Sequence, residues 1–154
     1  MVNEHRAAIH RVTRVYAADA DARRELFQEI VYQLWRAFPA FRRDSSPMTW
    51  LYRIALNTAI SSSRRRSRQP QQVPLTEGHH AAPTVAPVDD DARIERLSRA
   101  MSGLTDVERA LMACYLEDMP YRRIADVLGI SESNVGVRLH RVRAKLQRMV
   151  GTVE

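Results

Sequence analysis

A stripe of polar and basic side chains lies near the end of the chain. Its members are separated by three or four residues, which places them on one face of a helix at about 100° per residue. They are Asn134, Arg138, Arg141, Lys145 and Arg148. Arginine pairs with guanine or phosphate and asparagine pairs with adenine, so these residue types in this pattern offer the chemistry of nucleic-acid recognition.

An apolar face beside this stripe predicts how the helix is held. Val135, Leu139, Val142 and Leu146 follow Ser131, which is a natural helix N-cap. The four aliphatic residues cluster within roughly 60° on the same helical wheel. One side of the helix is therefore expected to be buried, while the adjacent side is presented to a partner.

A second short helix is predicted directly before this one, with Ile124, Ala125 and Leu128 on its apolar side. Gly129 supplies the positive φ of a helix C-terminus between the two. This arrangement matches a helix-turn-helix, whose second helix enters the major groove of DNA. The predicted DNA contacts of the second helix are Ser131, Ser133, Asn134, Arg138, Arg141 and Lys145, with Asn134 and Arg138 as base readers. Arg122, Arg123 and Arg148 are predicted to touch the DNA backbone.

The overall charge agrees with a polyanionic partner. The chain has 154 residues, a formal net charge of +6, and twenty-three arginines against a single lysine. This bias fits phosphate and base recognition, but GC-rich codon usage explains it equally well. Charge distribution decides in favour of DNA, because residues 120–149 hold seven Lys and Arg against two acids.

Other chemistry has little support in the sequence. Cys114 is the only cysteine, so an internal disulfide is impossible, and we expect a cytoplasmic protein. The longest apolar run, "ALMACYL", is far shorter than a membrane span, so no membrane insertion is expected. His79 and His80 fall short of a zinc ligand set, and no nucleophile-base pair or glycine-rich phosphate loop appears. We expect no metal, no cofactor and no catalytic residue.

The organisation of the chain is predicted to be all-α, with two small helical bundles. The first bundle covers 1–68 and contains three predicted helices. They are a weak helix over 5–18, an amphipathic helix over 21–38 ended by Pro39, and a helix capped by Ser46 with Pro47 at its first position. Residues 69–91 hold four prolines and no periodicity, which predicts a flexible linker. The second bundle covers 92–154 and includes a capping box formed by Thr105 and Glu108.

Both bundles resemble one protein family. The stretches "FQEIVYQLW", "FPAFRRDSS" and "TWLYRIALNTA" resemble region 2 of bacterial sigma factors, and the segment from "GLTDVERALMACYLEDM" to "RVRAKL" resembles region 4 of the same proteins. The order of the two regions and the linker between them are typical of the two-domain extracytoplasmic-function (ECF) class of the sigma-70 family. The resemblance implies a promoter-recognition subunit of bacterial RNA polymerase.

The resemblance also implies roles for particular residues. Region 4 would bind the double-stranded minus-35 element, and region 2 would bind the melted minus-10 strand through Phe41, Arg42, Arg43, Asp44, Ser45, Ser46, Trp50, Arg53, Asn57, Arg64, Arg65 and Arg66. Gln28, Glu29, Gln33 and Arg36 would contact the clamp helices of the largest polymerase subunit, and the polymerase flap would be a second contact. The resemblance further implies an anti-sigma factor that binds one-to-one to a protein otherwise monomeric.

Departures from the family pattern affect promoter choice. Leu56 stands where many relatives carry arginine, and Gly136 replaces a common lysine in the reading helix. Two alternatives stay open at this stage. A conventional helix-turn-helix regulator would bind DNA alone as a dimer, and a nucleic-acid-acting enzyme such as a recombinase would need the acidic or nucleophilic cluster that the sequence lacks.

Overall fold

The computed structural model describes residues 5–42, 46–68, 96 and 99–151. Within these ranges the chain is helical and contains no strand, as predicted. The helices are α1 (Arg6–Tyr16), α2 (Ala20–Ala37), α3 (Pro47–Arg68), α4 (Asp106–Leu116), α5 (Tyr121–Leu128) and α6 (Glu132–Gly151), with a short 3₁₀ helix at Phe38–Ala40. The predicted linker 69–91 lies outside the described residues.

Local signals in the sequence set the ends of the helices in the first bundle. The Asp19 side chain accepts a hydrogen bond from the Ala22 N–H at 2.7 Å and so caps α2. Ser46 caps α3 by accepting from the Thr49 N–H at 3.2 Å, and Pro47 is the first helical residue, as expected. Pro39 falls in the 3₁₀ helix and ends α2 close to the predicted position.

The first bundle packs α1, α2 and α3 around a narrow core. Buried side chains recur at helical spacing on each element, among them Ile9 and Val12 on α1, Leu26 and Ile30 on α2, and Leu51 on α3. Other apolar residues at helical spacing in the predicted helix over 21–38 are less buried, since Phe27 and Val31 are only half-buried and Phe38, in the 3₁₀ helix, is 53% exposed.

The second bundle confirms the predicted capping box and turn. Thr105 Oγ1 accepts from the Glu108 N–H, and Glu108 Oε1 accepts from the Thr105 N–H at 2.8 Å. Gly129 ends α5 with φ +72°, and its N–H donates to the Ala125 carbonyl at 2.8 Å. Ser131 then caps α6 by accepting from the Asn134 N–H at 3.1 Å. Val135, Leu139 and Val142 are buried, which fixes the face of α6 that meets the core.

The two bundles also pack against each other. Helix α1 contacts α4, and α3 contacts both α4 and α5. Arg11 forms an ion pair with Glu117, which includes a hydrogen bond from Nη2 to Oε2 at 2.8 Å. The Tyr16 hydroxyl donates to the Asp106 carbonyl at 2.9 Å. The bundles are therefore joined by specific contacts in addition to the chain between them.

Candidate nucleic-acid interface

The outward face of α6 lies opposite its buried aliphatic residues. Ser133, Val137, His140 and Arg141 are all exposed there, and Val137 is 50% exposed although it is an aliphatic residue. On the helical wheel Val137 lies roughly 140° to 160° from each of the three buried aliphatics. The centre of the presented surface is thus Val137, which the sequence analysis did not single out. Its wheel position opposite the apolar residues was the signal that could have found it.

The predicted polar stripe of α6 flanks this surface. Arg138 and Arg141 are exposed, as required of side chains that meet DNA, while Asn134 is half-buried. Arg138 Nε donates to Asn134 Oδ1 at 3.2 Å, so the two predicted base readers are already held side by side. Arg148 is also exposed, at the distal end of the helix.

Two predicted contacts of α6 have other partners in the structure. Ser131 is occupied as the cap of α6. Lys145 Nζ donates to Glu108 Oε1 at 3.0 Å, which draws this ammonium group towards α4. Both residues stay predictions as DNA contacts, and Lys145 would have to exchange Glu108 for a phosphate.

The first helix of the helix-turn-helix supplies a basic edge. Arg122 and Arg123 lie in the first turn of α5 and are exposed, beside the half-exposed ring of Tyr121. Tyr121 also approaches α6: a Cβ added to Gly136 would lie 3.5 Å from Cε2 of the ring. The exposed surface of α5 and α6 is therefore rich in arginine and carries no side chain at Gly136.

An aromatic cluster marks the start of α3. The rings of Phe41 and Trp50 stack with centroids 4.7 Å apart, and Phe38 meets Trp50 edge-on at 6.2 Å. Phe41 and Trp50 are half-buried and Arg42 is exposed. The predicted minus-10 residues Arg43, Asp44 and Ser45 lie outside the described residues.

Further along α3 the predicted minus-10 residues divide between two surfaces. Asn57 and Arg65 line a groove of about 430 Å³ between α2 and α3, and Glu29 and Gln33 line its other wall. Arg66 is exposed near this groove. Arg53 and Arg64 face the second bundle instead, because Arg53 bonds to the Asp126 carbonyl and Arg64 Nε lies 3.7 Å from Asp106 Oδ2.

The predicted polymerase contacts on α2 are divided between two grooves. Gln28 lines an apolar groove of about 470 Å³, whereas Glu29 and Gln33 line the polar groove and are joined by a 3.3 Å hydrogen bond. Arg36 is exposed. The walls of the apolar groove are formed mainly by Phe27, Val31, Tyr32, Leu34, Trp35, Phe38, Trp50 and Leu51.

Exposed aromatic rings make this apolar groove unusual for a protein surface. Trp35 is 76% exposed and Tyr32 is 53% exposed, directly beside the groove. Adjacent exposed apolar side chains of this size mark interaction sites more often than isolated ones do. Trp35 and Tyr32 were not among the predicted polymerase contacts. Both lie off the buried stripe formed by Leu26, Ile30 and Leu34, and this position was the signal that could have found them.

Cys114 is fully buried, and burial, with a smaller effect of Glu117, raises the pKa of its thiol to about 12. It is therefore a small core residue that stays protonated at neutral pH. Among the described side chains, no three His, Cys, Asp or Glu groups are close enough to hold a metal ion. His79 and His80 lie outside these residues.

Comparison with known proteins assigns the two bundles to one family. The family model "Sigma-70 region 2" matches residues 1–69, and "Sigma-70, region 4" matches residues 94–146. The chain is 30% identical to the RNA polymerase sigma-H factor of Pseudomonas aeruginosa, over 86% of this chain and 75% of that protein. This chain belongs to the ECF class of the sigma-70 family. It is thus an RNA polymerase sigma factor, and the alternative of a conventional regulator is not favoured.

Further relatives agree with this assignment. The sigma factor is 28% identical to the ECF RNA polymerase sigma factor SigM of Mycobacterium tuberculosis, over 98% of this chain and 76% of that protein. Two solved structures share its fold. One is CnrH in complex with the cytosolic domain of CnrY, with TM-score 0.73, 21% identity, and 99% of this chain and 86% of the other covered. The other is the sigma factor RpoE in complex with the anti-sigma factor NepR from Bartonella quintana, with TM-score 0.68, 17% identity, and 97% and 94% covered.

Within the part of this sigma factor that the structure describes, no helix combines the length and the hydropathy needed to cross a bilayer.

Proposed function

We propose that this sigma factor binds core RNA polymerase and places its two bundles on the minus-10 and minus-35 elements of a promoter. The observation that carries the proposal is the orientation of α6: its aliphatic residues Val135 and Leu139 are buried, while Arg138 and Arg141 are exposed. A helix held in this way can enter a major groove with its basic side first.

In the proposed minus-35 complex, Arg138 and Asn134 contact base edges. Their mutual hydrogen bond orients both side chains before DNA arrives, which reduces the entropy lost on binding. Arg122 and Arg123 on α5 contact phosphates, as do Arg141 and Arg148 on α6. Phosphate contacts of this kind fix the register of the helix in the groove but carry no sequence information.

In the proposed minus-10 complex, the melted strand follows the polar groove between α2 and α3. The aromatic cluster of Phe41 and Trp50 offers a stacking surface for an unpaired base, and such stacking is worth about 1–3 kcal/mol per base. Asn57 provides hydrogen-bonding groups at the groove, and Arg65 provides positive charge for phosphates.

Core polymerase is proposed to dock on the apolar groove of α2. Trp35 and Tyr32 are the large exposed side chains, and Gln28 is the predicted polymerase contact that lines the same groove. Glu29, Gln33 and Arg36 lie towards the polar side of α2 and would form the edge of this contact. Trp and Tyr are enriched among residues that dominate binding energy at protein interfaces.

An anti-sigma factor is proposed as the regulatory partner, binding one-to-one in the cytoplasm. The proposal is supported by the two solved relatives, since RpoE was solved with the anti-sigma factor NepR and CnrH with the cytosolic domain of CnrY. The matched chains cover 99% and 97% of this chain, so the shared fold includes both bundles.

Run-off transcription with purified core polymerase tests the function. Adding the full chain should direct initiation at a discrete set of promoters, and these promoters should share sequence near minus-10 and minus-35. Strong DNA binding as a dimer, together with no initiation at any promoter, would instead identify a conventional regulator.

A further inference from the structure

We infer that Val137 is a specificity-determining residue of α6 that contacts the 5-methyl group of a thymine in the major groove. The inference rests on the proposed function, because it requires α6 to enter the major groove of promoter DNA. Val137 is not among the residues that sequence analysis or resemblance assigned to DNA.

The position of Val137 is the first argument. It lies in the second turn of α6, and the N-terminal residues of a recognition helix are those that reach base edges. It is also the outermost residue on the helical wheel, with Ser133 one turn before it and Arg141 one turn after it. On the helical wheel Val137 lies about 60° from the centre of the basic stripe, so a DNA helix approached by the basic side of α6 would meet Val137 directly beside Arg141.

The chemistry of Val137 is the second argument. An isolated exposed valine is ordinary on a protein surface. Here the valine is enclosed by polar side chains that are suited to bases and phosphates, and the major groove presents one apolar group to such a surface, the 5-methyl of thymine. Valine in a helix also has one strongly preferred χ1 rotamer, so its two methyl groups are positioned before binding.

The neighbouring glycine is the third argument. Gly136 has no side chain, and a Cβ at this position would meet only the Tyr121 ring at 3.5 Å and 3.9 Å. Position 136 lies about 100° from Val137 on the helical wheel, on the side that faces the Tyr121 ring. Because glycine carries no side chain, this flank of Val137 is left uncovered and does not screen the valine methyl groups from a base edge.

The test removes the 5-methyl group from one thymine of the DNA at a time. The preferred minus-35 site is first selected from random duplexes with the full chain bound to core polymerase. Each thymine of the selected site is then replaced by deoxyuridine, which keeps base pairing and removes the methyl group, and the affinity of the assembled polymerase is measured by competition. Wild type and Val137→Ala are compared, with Val107→Ala as the matched control because Val107 is an exposed valine, 39% accessible, on α4.

We expect one thymine at which deoxyuridine weakens wild-type binding by about fourfold, the value of burying one methyl group. Val137→Ala should show a similar loss on thymine DNA and no further loss on deoxyuridine DNA, while Val107→Ala should behave as wild type. Val137→Ala is expected to fold, because the side chain is exposed and alanine is the better helix former.

The outcomes separate this inference from the proposed function. A selected site with no thymine, or equal sensitivity to deoxyuridine in wild type and Val137→Ala, would overturn the role of Val137 while the sigma activity stands. If the assembled polymerase selects no sequence and initiates nowhere, the proposed function fails, and the inference fails with it.

Discussion

Arg53 on α3 donates two hydrogen bonds to the backbone carbonyl of Asp126 on α5, from Nε at 2.9 Å and from Nη2 at 2.7 Å. The same guanidinium is a predicted contact of the minus-10 strand. Because the two N–H groups that face Asp126 cannot bond a DNA strand at the same time, we expect the packed arrangement of the bundles to compete with the full proposed DNA contact of Arg53.

This competition predicts that substitutions of two interface arginines, Arg11 and Arg53, differ in their effect on binding and opening of the promoter. Arg11→Ala removes the ion pair with Glu117, in which Arg11 is 48% exposed and Glu117 is 13% exposed. This partly buried pair should lie at the upper end of the range of about 0–1 kcal/mol found for exposed pairs, so separated bundles should become about fivefold more populated. Promoter opening by the assembled polymerase should rise or stay unchanged. Arg53→Ala should loosen the bundles similarly but weaken binding of the melted strand.

Energy transfer between dyes on α2 and α6 would measure the separation. Cys114 is buried, so cysteines introduced for labelling would react selectively. An unchanged separation in both variants, or equal strand binding by Arg53→Ala and Arg11→Ala, would contradict the competition.

Trp35→Ala tests the apolar groove as the polymerase contact. Truncating a dominant interface aromatic costs about 2 kcal/mol or more, so affinity for core polymerase should fall at least tenfold. The fold should be preserved because Trp35 is 76% exposed. Leu116→Ala, which truncates a 48% exposed residue on α4, is the matched control. Equal affinity of the two variants for core polymerase would exclude the groove.

Replacing Gly136 and Gly129 by alanine should change the free energy of unfolding in opposite directions. Gly136 lies within α6 and has room for a Cβ, so Gly136→Ala should raise the free energy of unfolding by up to about 1 kcal/mol. Gly129 has φ +72°, where an L side chain is strained, so Gly129→Ala should lower it by about 1–2 kcal/mol. Urea unfolding measures both. A fall in both variants would show that packing near Tyr121, rather than backbone conformation, dominates at Gly136, and a rise in both would contradict the strain expected at Gly129.

The capping box should make folding stability depend on pH. Burial of Glu108 favours its neutral form, but hydrogen bonds from the Thr105 N–H and from Lys145 outweigh burial and lower the pKa of the carboxyl below 4.5. A folded-state pKa below the unfolded value stabilises the fold above pH 4.5, and this contribution is lost as pH falls through the folded-state pKa.

Glu108→Gln should therefore flatten the acid side of the stability profile, since the amide does not titrate. The free energy of unfolding measured at several pH values between about 6 and 3 compares the two proteins. Thr105→Ala offers a second comparison, with an expected loss of about 0.5–2 kcal/mol. Parallel profiles for wild type and Glu108→Gln would show that other carboxylates dominate acid unfolding.

Much of the fold could be predicted because its signals are local. Ser46 with Pro47, Thr105 with Glu108, and Gly129 each act within one helical turn, and each predicted helix end is confirmed. The capping and φ requirements that these residues meet do not depend on distant parts of the chain.

The site could be predicted only in part, because exposure depends on contacts between distant residues. The hydropathy pattern that runs through α2 into the 3₁₀ helix does not distinguish buried Leu34 from exposed Phe38, since both are apolar at helical spacing. The contact of Arg53 with Asp126 joins residues 73 positions apart and has no sequence signal. The roles of the described site residues in DNA and polymerase binding stay predictions.

The absorbance of Tyr52 can report whether the two bundles are in contact. Its side chain is fully buried on α3, and burial, with the nearby Glu117 carboxylate of the other bundle, holds the pKa of its phenol well above 10. Parting the bundles would bring this ring into water beside fewer negative charges and let it ionise in the ordinary alkaline range. In alkaline solution the ultraviolet absorbance of phenolate would then rise as the bundles part, without any attached label, with Tyr16 at the same joint adding to the signal of Tyr52.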